Sequence, residues 1–424
     1  MLHQADHRVG FDQGVDTGDS FSMVLEHLTL KQQNVVGFRN DAKIIIRDLR
    51  SENRVPVIEN KHTMMLVDAQ FSGGDPQQHA INSKGRLYVR DLSQTGYGAA
   101  IDAGDRGMIK DAKVAEWSDA KGLSLFGAEV KSLRLPVEET PDVPWESDMA
   151  KWAKAEPDSD AEELQAVIDD AAKKGKTTLY FPQARYRITE PVRLHGSINR
   201  IIGMASTIDV ADLYGKFKAG AAVFTFENLK SDTIVVERFW AFGGAKCPAT
   251  ISMLANKSGK TIVLKDMGVS GTMKQADPGG RWFIEDISPD RSAMLLVGKG
   301  EKLWARQFNP ESAETDMIHV DGGQLWILGL KTEGRATHVV ASNGAKVEVI
   351  GGISYQSWGN QPVDPPMFKI TDSDFSVTYG FYVWNQGFST IVEETRGGET
   401  RKLPFNDKLP DWHLPLYRSG GTVK

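Results

Sequence analysis

A chain of 424 residues, 40% hydrophobic and 25% charged, carries enough apolar surface for a folded core, either as two domains or as one long repeat array. A formal charge of −6 and a pI near 5.9 argue against a broad attraction to nucleic acid, and the single cysteine, Cys247, excludes an intramolecular disulfide. No apolar run reaches the roughly 18 residues of a membrane span, and the opening residues MLHQADHRVGFDQG hold no apolar signal-peptide core.

Short apolar segments recur through the N-terminal third: VLEHLTL, IIIRDLRS, MMLVDAQFSG and LYVRDLSQTG. Leu28 and Leu49 are 21 residues apart, and Asp68 and Asp91 are 23 apart. Turn formers such as Asn40-Asp41 and Gly73-Gly74 separate the segments. They are rich in Ile, Val and Leu and too short for helices, so they read as strands. A period of about 21–22 residues with several short strands per turn predicts a right-handed parallel β-helix. Leucine-rich repeats share that period, but their L-x-x-L-x-L-x-x-N frame is missing, and no amphipathic helix lies between the strands. This first array is expected over 1–135, and it reads as short or truncated.

Residues 136–157 open with three prolines and continue acidic and polar, which predicts an extended linker. A helix follows over Ala161–Lys174, where Leu164, Val167, Ile168 and Ala171 fall at helical spacing. Asp158 or Ser159 is the expected cap, with Glu162 completing a box from Ser159, and Gly175 is the expected stop. The strand after it turns at Pro182. With Asp160, Leu164, Gln165, Ile168, Phe181, Pro182 and Tyr186 in place, this segment resembles the opening of the pectate-lyase-like β-helix superfamily. Ala184 stands where that superfamily usually has Gly. The resemblance implies that the helix covers the end of a second stack, expected over 158–395, with 396–424 as a tail. The fold class is therefore all-β: two tandem parallel β-helices, the second opened by a capping helix.

Within the second array, Phe283, Trp304, Trp326 and Val347 are spaced 21, 22 and 21 residues. Asp290, Glu311, Glu333 and Ser354 keep the same step. Residues one period apart sit on neighbouring coils, about 4.8 Å apart at the backbone, so the three acids form a column. Two adjacent carboxylates favour retention of a proton by one of them, the state a general acid needs to protonate a glycosidic oxygen. Other readings remain open: solvated turn acids, acids paired with Arg306, Lys331 or Arg335, or a Ca²⁺ site.

The run WARQFNPE followed by LWILGLKTEG resembles glycoside hydrolase family 55. Similarity covers 158–203 and 282–353, and 24–101 more loosely. The resemblance implies tandem β-helices acting on β-1,3-glucan, usually from the chain end, with inversion at the anomeric carbon. It places the general acid at Glu333 and a water-positioning acid at Glu311. Gln33 and Ser51 are the nearest candidates for the water-holding Gln and Ser that the family takes from its first β-helix. Inversion requires room for a water, which puts that water between the two arrays.

Trp304 and Trp326 are expected inside the coils or between neighbouring strands. Tyr355, Trp358, Tyr379, Tyr382 and Trp384 follow the acidic column and are candidate sugar platforms, with Asp290 and Arg306 as polar substrate contacts. Gly243-Gly244, Gly322-Gly323 and Gly351-Gly352 read as coil turns, and His319 and His338 as turn residues. No metal-type histidine spacing, nucleophile elbow, P-loop or Rossmann fingerprint is present, so no cofactor or metal is expected. The expected partner is a polysaccharide or oligosaccharide, met by a monomer in an extracellular or periplasmic setting, with neither nucleic acid nor membrane involved. Two competing functions are a polysaccharide lyase with Arg306 or Lys331 as base, and a non-catalytic carbohydrate-binding or tailspike-like scaffold.

Overall fold

The computed structural model describes residues 5–7, 13–16, 23–210, 217–218, 220–243, 247, 250–289, 294–312, 314–355, 364–382, 387–405 and 413–421. In the first array the strands Met23–Lys31, Ile44–Glu52, Met64–Ser72 and Leu87–Gln94 stack in parallel. Leu28 pairs with Leu49, Leu49 with Ala69, and Ala69 with Leu92. A second sheet of shorter strands closes the coils, with Leu25, Ile46, Leu66 and Val89 inside. At the buried turns Asn40 Nδ2 donates to Asn60 Oδ1 (2.7 Å), and Asn60 Nδ2 donates to Ser83 Oγ (2.9 Å), so neighbouring coils satisfy one another's polar groups.

Each long strand bends at one left-handed residue: His27, Asp48, Asp68 and Asp91, all at φ 57–58°. Pairing skips these positions. Asp tolerates this conformation better than most residues, which is why Asp68 and Asp91 repeat with the coil. The strand Lys113–Ser118 then runs antiparallel on Leu87–Gln94 and closes the stack. Asp119 still binds the first array through the Leu87 carbonyl, and the chain then runs on to bridges of Leu123 with Tyr417 and of Phe126 with Gly421, near the far end of the chain.

The helix Ala161–Lys174 opens the second array as expected, but its capping box is shifted by one residue. Asp160 accepts from the Glu163 amide (2.9 Å) and Glu163 accepts from the Asp160 amide (3.2 Å). Ser159 donates its hydroxyl to the Glu156 carbonyl instead. Gly175, at φ 69°, stops the helix. Leu164, Ile168 and Ala171 join the apolar interior of the stack, which would otherwise meet water. The other end closes by antiparallel pairing, of Glu399–Pro404 on Thr390–Arg396 and of His413–Arg418 on Asp374–Tyr382. Much of the expected tail is therefore part of the sheets.

The two arrays lie side by side along an apolar seam. Val24, Ile45, Met65 and Tyr88 pack there with Phe283, Trp304, Trp326, Leu328 and Ile350. The tryptophans are thus buried between arrays and not inside the coils. Trp304 stacks on Phe283 at 4.8 Å and donates Nε1–H to the Pro136 carbonyl (2.9 Å). Their column runs Phe283, Trp304, Trp326, Glu348; Val347 pairs with Leu325 and belongs to the coil interior. A one-residue difference in register exchanges the two faces of a strand. Two buried ion pairs cross the seam: Arg306 Nε to Glu26 Oε2, and Arg90 Nη1 to Glu348 Oε1, both at 2.8 Å. Removing such charges from water offsets most of their attraction, whereas each large apolar side chain buried contributes roughly 1.5–3 kcal/mol. Apolar packing therefore holds the arrays together, and the ion pairs set their register. Among the described residues, no helix is long and apolar enough to cross a membrane.

Candidate active site

The strand Gln324–Gly334 bends at Gly329, directs Leu330 inward and leaves Lys331 and Glu333 half-buried at the surface. The two-residue strand Glu311–Ser312 pairs with it so that Glu311 lies beside Glu333. Lys331 Nζ donates to Glu311 Oε1 at 2.8 Å and to Glu333 Oε1 at 2.5 Å. Glu311 is 27% exposed, Glu333 20% and Lys331 19%, so a ligand can reach all three. Burial lowers the Lys331 pKa, but the hydrogen bonds and charges of Glu311 and Glu333 outweigh it and hold the ammonium above its ordinary value. Repulsion between the stacked acids is thus offset by a lysine, the pairing named among the alternatives above.

That lysine bears on two competing chemistries. A cation bound by the pair would have to displace Lys331 from Glu311 and Glu333. A lyase base must be unprotonated near neutral pH, and Lys331 is held protonated. Arg306 is 1% exposed and committed to Glu26, to the Glu138 carbonyl (2.8 Å) and to Thr140 Oγ1 (3.3 Å). It is a seam residue, which corrects its assignment as a sugar contact or base.

Behind the pair, Thr332 points inward. His338 is fully buried, and burial pushes its pKa down to about 3, so it is neutral. Its Nδ1–H donates to the Ala336 carbonyl (3.2 Å), and Nε2 accepts from Thr332 (3.0 Å) and Ser354 (2.8 Å). Tyr379 OH lies 3.3 Å from Thr332 Oγ1 and is also buried, so it is core and not a sugar platform. Ser354 leaves the acidic column: Glu333 pairs with Tyr355, and Tyr355 with Tyr382. Tyr355 and Tyr382 thus share the strand register of Glu333. Asp290, Trp358 and Trp384 lie outside the described residues.

Gln33 and Ser51 are 5% and 4% exposed and sit within the first array. Asn53 Oδ1 accepts from the Gln33 backbone N–H (2.6 Å), and Asn53 Nδ2 donates to Ser51 Oγ (2.8 Å). First-array residues that do reach the second include Val24, Ile45, Met65 and Lys43, with Lys43 beside Gly380. Gly380 pairs with Ile353, which pairs with Lys331, so Lys43 approaches the strip that carries the acids. It went unnoticed in the sequence because its neighbours come from the other array.

Among the described residues, one group of ligand-type side chains could hold a metal: Glu26, His27 and Glu139. Arg47 and Arg306 already bind Glu26, and Arg47 also binds Glu139. These guanidinium groups supply the positive charge a metal would bring.

No protein-family profile matches the chain, and no curated protein matches it. Its structure is similar to that of sacteLam55A from Streptomyces sp. SirexAA-E, at 11% identity and a TM-score of 0.37, over 90% of this chain and 82% of that one. It is similar also to a glutamate-to-alanine variant of the same protein in complex with glucose, at 11% identity and a TM-score of 0.37, over 93% of this chain and 86% of that one. At this overlap the likeness decides neither residues nor chemistry. Strand pairing defines the fold here, and side-chain geometry carries the chemistry.

Proposed function

We propose that the chain hydrolyses a neutral β-glucan-type polysaccharide outside the cell or in the periplasm, with Glu333 as general acid and Glu311 helping to place the attacking water. The observation that supports this most is the registered, solvent-reachable pair Glu311–Glu333 with Lys331 between its members. Lys331 lets two acids lie side by side in the resting state. For Glu333 to donate a proton, sugar binding has to release it from Lys331, which then stays on Glu311.

The stereochemistry tests the arrangement. The two bonded oxygens share one nitrogen at 2.8 and 2.5 Å, so they lie no further apart than the sum of those contacts. That upper bound lies within or below the ~5–5.5 Å of retaining glycosidases and falls short of the ~6.5–9.5 Å of inverting ones. Inversion, implied by the family resemblance, therefore needs its water away from the space between the two carboxylates, towards the first array, where groups beyond this pair must help Glu311 to hold it. An NMR time course of the first-formed anomer distinguishes the cases. Inversion is the expected result; retention would make Glu311 the nucleophile and remove its water-placing role. Reducing ends without ultraviolet-absorbing unsaturated products, across a glycan panel, are expected of a hydrolase. Unsaturated products would instead identify a lyase.

A further inference from the structure

The long strands of the second array carry left-handed residues at Arg238, Asp266, Asp286, Gln307 and Gly329. The residue after each is buried: Phe239, Met267, Ile287, Phe308 and Leu330. The second residue after each reaches the surface: Trp240, Gly268, Ser288, Asn309 and Lys331. Gly268, Ser288, Asn309 and Lys331 form one registered strip along the stack, and Trp240 stands at its end, where the pairing shifts register between Glu237 and Phe242. Asn309 Nδ2 donates to Ser288 Oγ (3.1 Å) and lies 3.4 Å from Glu311 Oε1, so the strip runs into the acid pair.

Trp240 occupies the other end and is 76% exposed. Its neighbour on the next coil is Gly268, where a Cβ would meet the Trp240 carbonyl at 2.6 Å, so no side chain from that position covers the indole. Four coil steps of about 4.8 Å place Trp240 about 19 Å from Lys331, a span of several pyranose rings. An indole presents a broad apolar face for sugar C–H groups and an N–H for a hydroxyl. Ser288 and Asn309 are neutral hydrogen-bonding groups between the two ends. Asp266 and Asp286 are exposed beside the strip and repel a polyanion.

We propose that Trp240 is a distal platform for a neutral polysaccharide whose chain runs along the coil stack, over Ser288 and Asn309, to Glu311 and Glu333. The inference rests on the polysaccharide reading of that acid pair. Affinity electrophoresis of wild type, Trp240→Ala and Trp240→Phe in gels containing soluble neutral glucans, a β-1,3-glucan among them, tests it. Trp240→Ala is expected to weaken retardation roughly tenfold, the scale of one lost aromatic contact, while Trp240→Phe stays close to wild type and all three unfold at the same denaturant midpoint. Wild-type retardation retained in Trp240→Ala overturns the platform and leaves the acid pair's role standing. Absence of wild-type retardation by every neutral glucan removes the polysaccharide reading and the platform together.

Discussion

Val24 of the first array lies so close to Gly329 of the second that a Cβ on Gly329 would stand 2.2 Å from Val24 Cγ2. The next coil repeats the contact, with Ile45 Cγ1 2.3 Å from a Cβ on Gly351. Earlier coils carry Asp266, Asp286 and Gln307 at the position of Gly329. Glycine begins where Val24 and Ile45 press on the backbone. Gly329→Ala adds both a clash and a left-handed alanine, and is expected to cost ~1–3 kcal/mol in denaturant unfolding. Val24→Ala in the Gly329→Ala background should recover part of that loss. No recovery would remove the Val24 contact as its cause.

Arg306 and Glu26 test the seam in a second way. Removing one partner of a buried ion pair leaves an uncompensated charge and costs ~3–5 kcal/mol. Arg306→Ala is therefore expected to lower the unfolding free energy by that order, while KM of the protein that remains folded stays at the wild-type value. A raised KM with unchanged stability would return Arg306 to the substrate.

Lys331 makes a pH prediction. Its pKa in the fold is raised above the ordinary lysine value of 10.5, so the stability it contributes is complete below that value and is lost as pH rises through the higher folded one. The difference in unfolding free energy between wild type and Lys331→Met should therefore be constant near neutral pH and shrink above about pH 10. A difference that stays flat through that alkaline range contradicts the ion-paired ammonium.

His338 acts at the acid end, with the sign set by its neutral burial. Its folded pKa of about 3 lies below the value near 6.5 expected when unfolded. The unfolded chain then binds the extra proton, and stability falls as pH drops from about 6.5 towards about 3, by at most ~1.4 kcal/mol per pH unit from this group. His338→Gln should show a shallower acid slope than wild type. Equal slopes would mean that His338 does not titrate on unfolding.

Local pattern carried the capping helix and the pairing of Glu311 with Glu333, because both depend on residues close in the chain or one coil apart. It failed where the other array intervenes. Counting apolar residues placed Val347 in the Trp326 column, but Glu348 holds that place because Arg90, far away in sequence, neutralises it. The same one-residue offset put Ser354 where Tyr355 belongs. Arg306, Gln33 and Ser51 looked like surface polar groups, since the burial of a polar side chain in a seam or coil leaves no periodic mark. Trp240 escaped notice because the step from Arg238 to Asp266 is longer than the repeat and breaks the count.

The most direct test of the account is turnover by Glu333→Gln. Reducing-end release from a panel of β-glucans should be measured for wild type and variant at equal folded concentration. Release by wild type is expected, with a loss of roughly 10²–10⁴-fold in kcat for Glu333→Gln, the range for removing a general acid, and the unfolding midpoint retained. Hydrolysis by Glu333→Gln at the wild-type rate would contradict it.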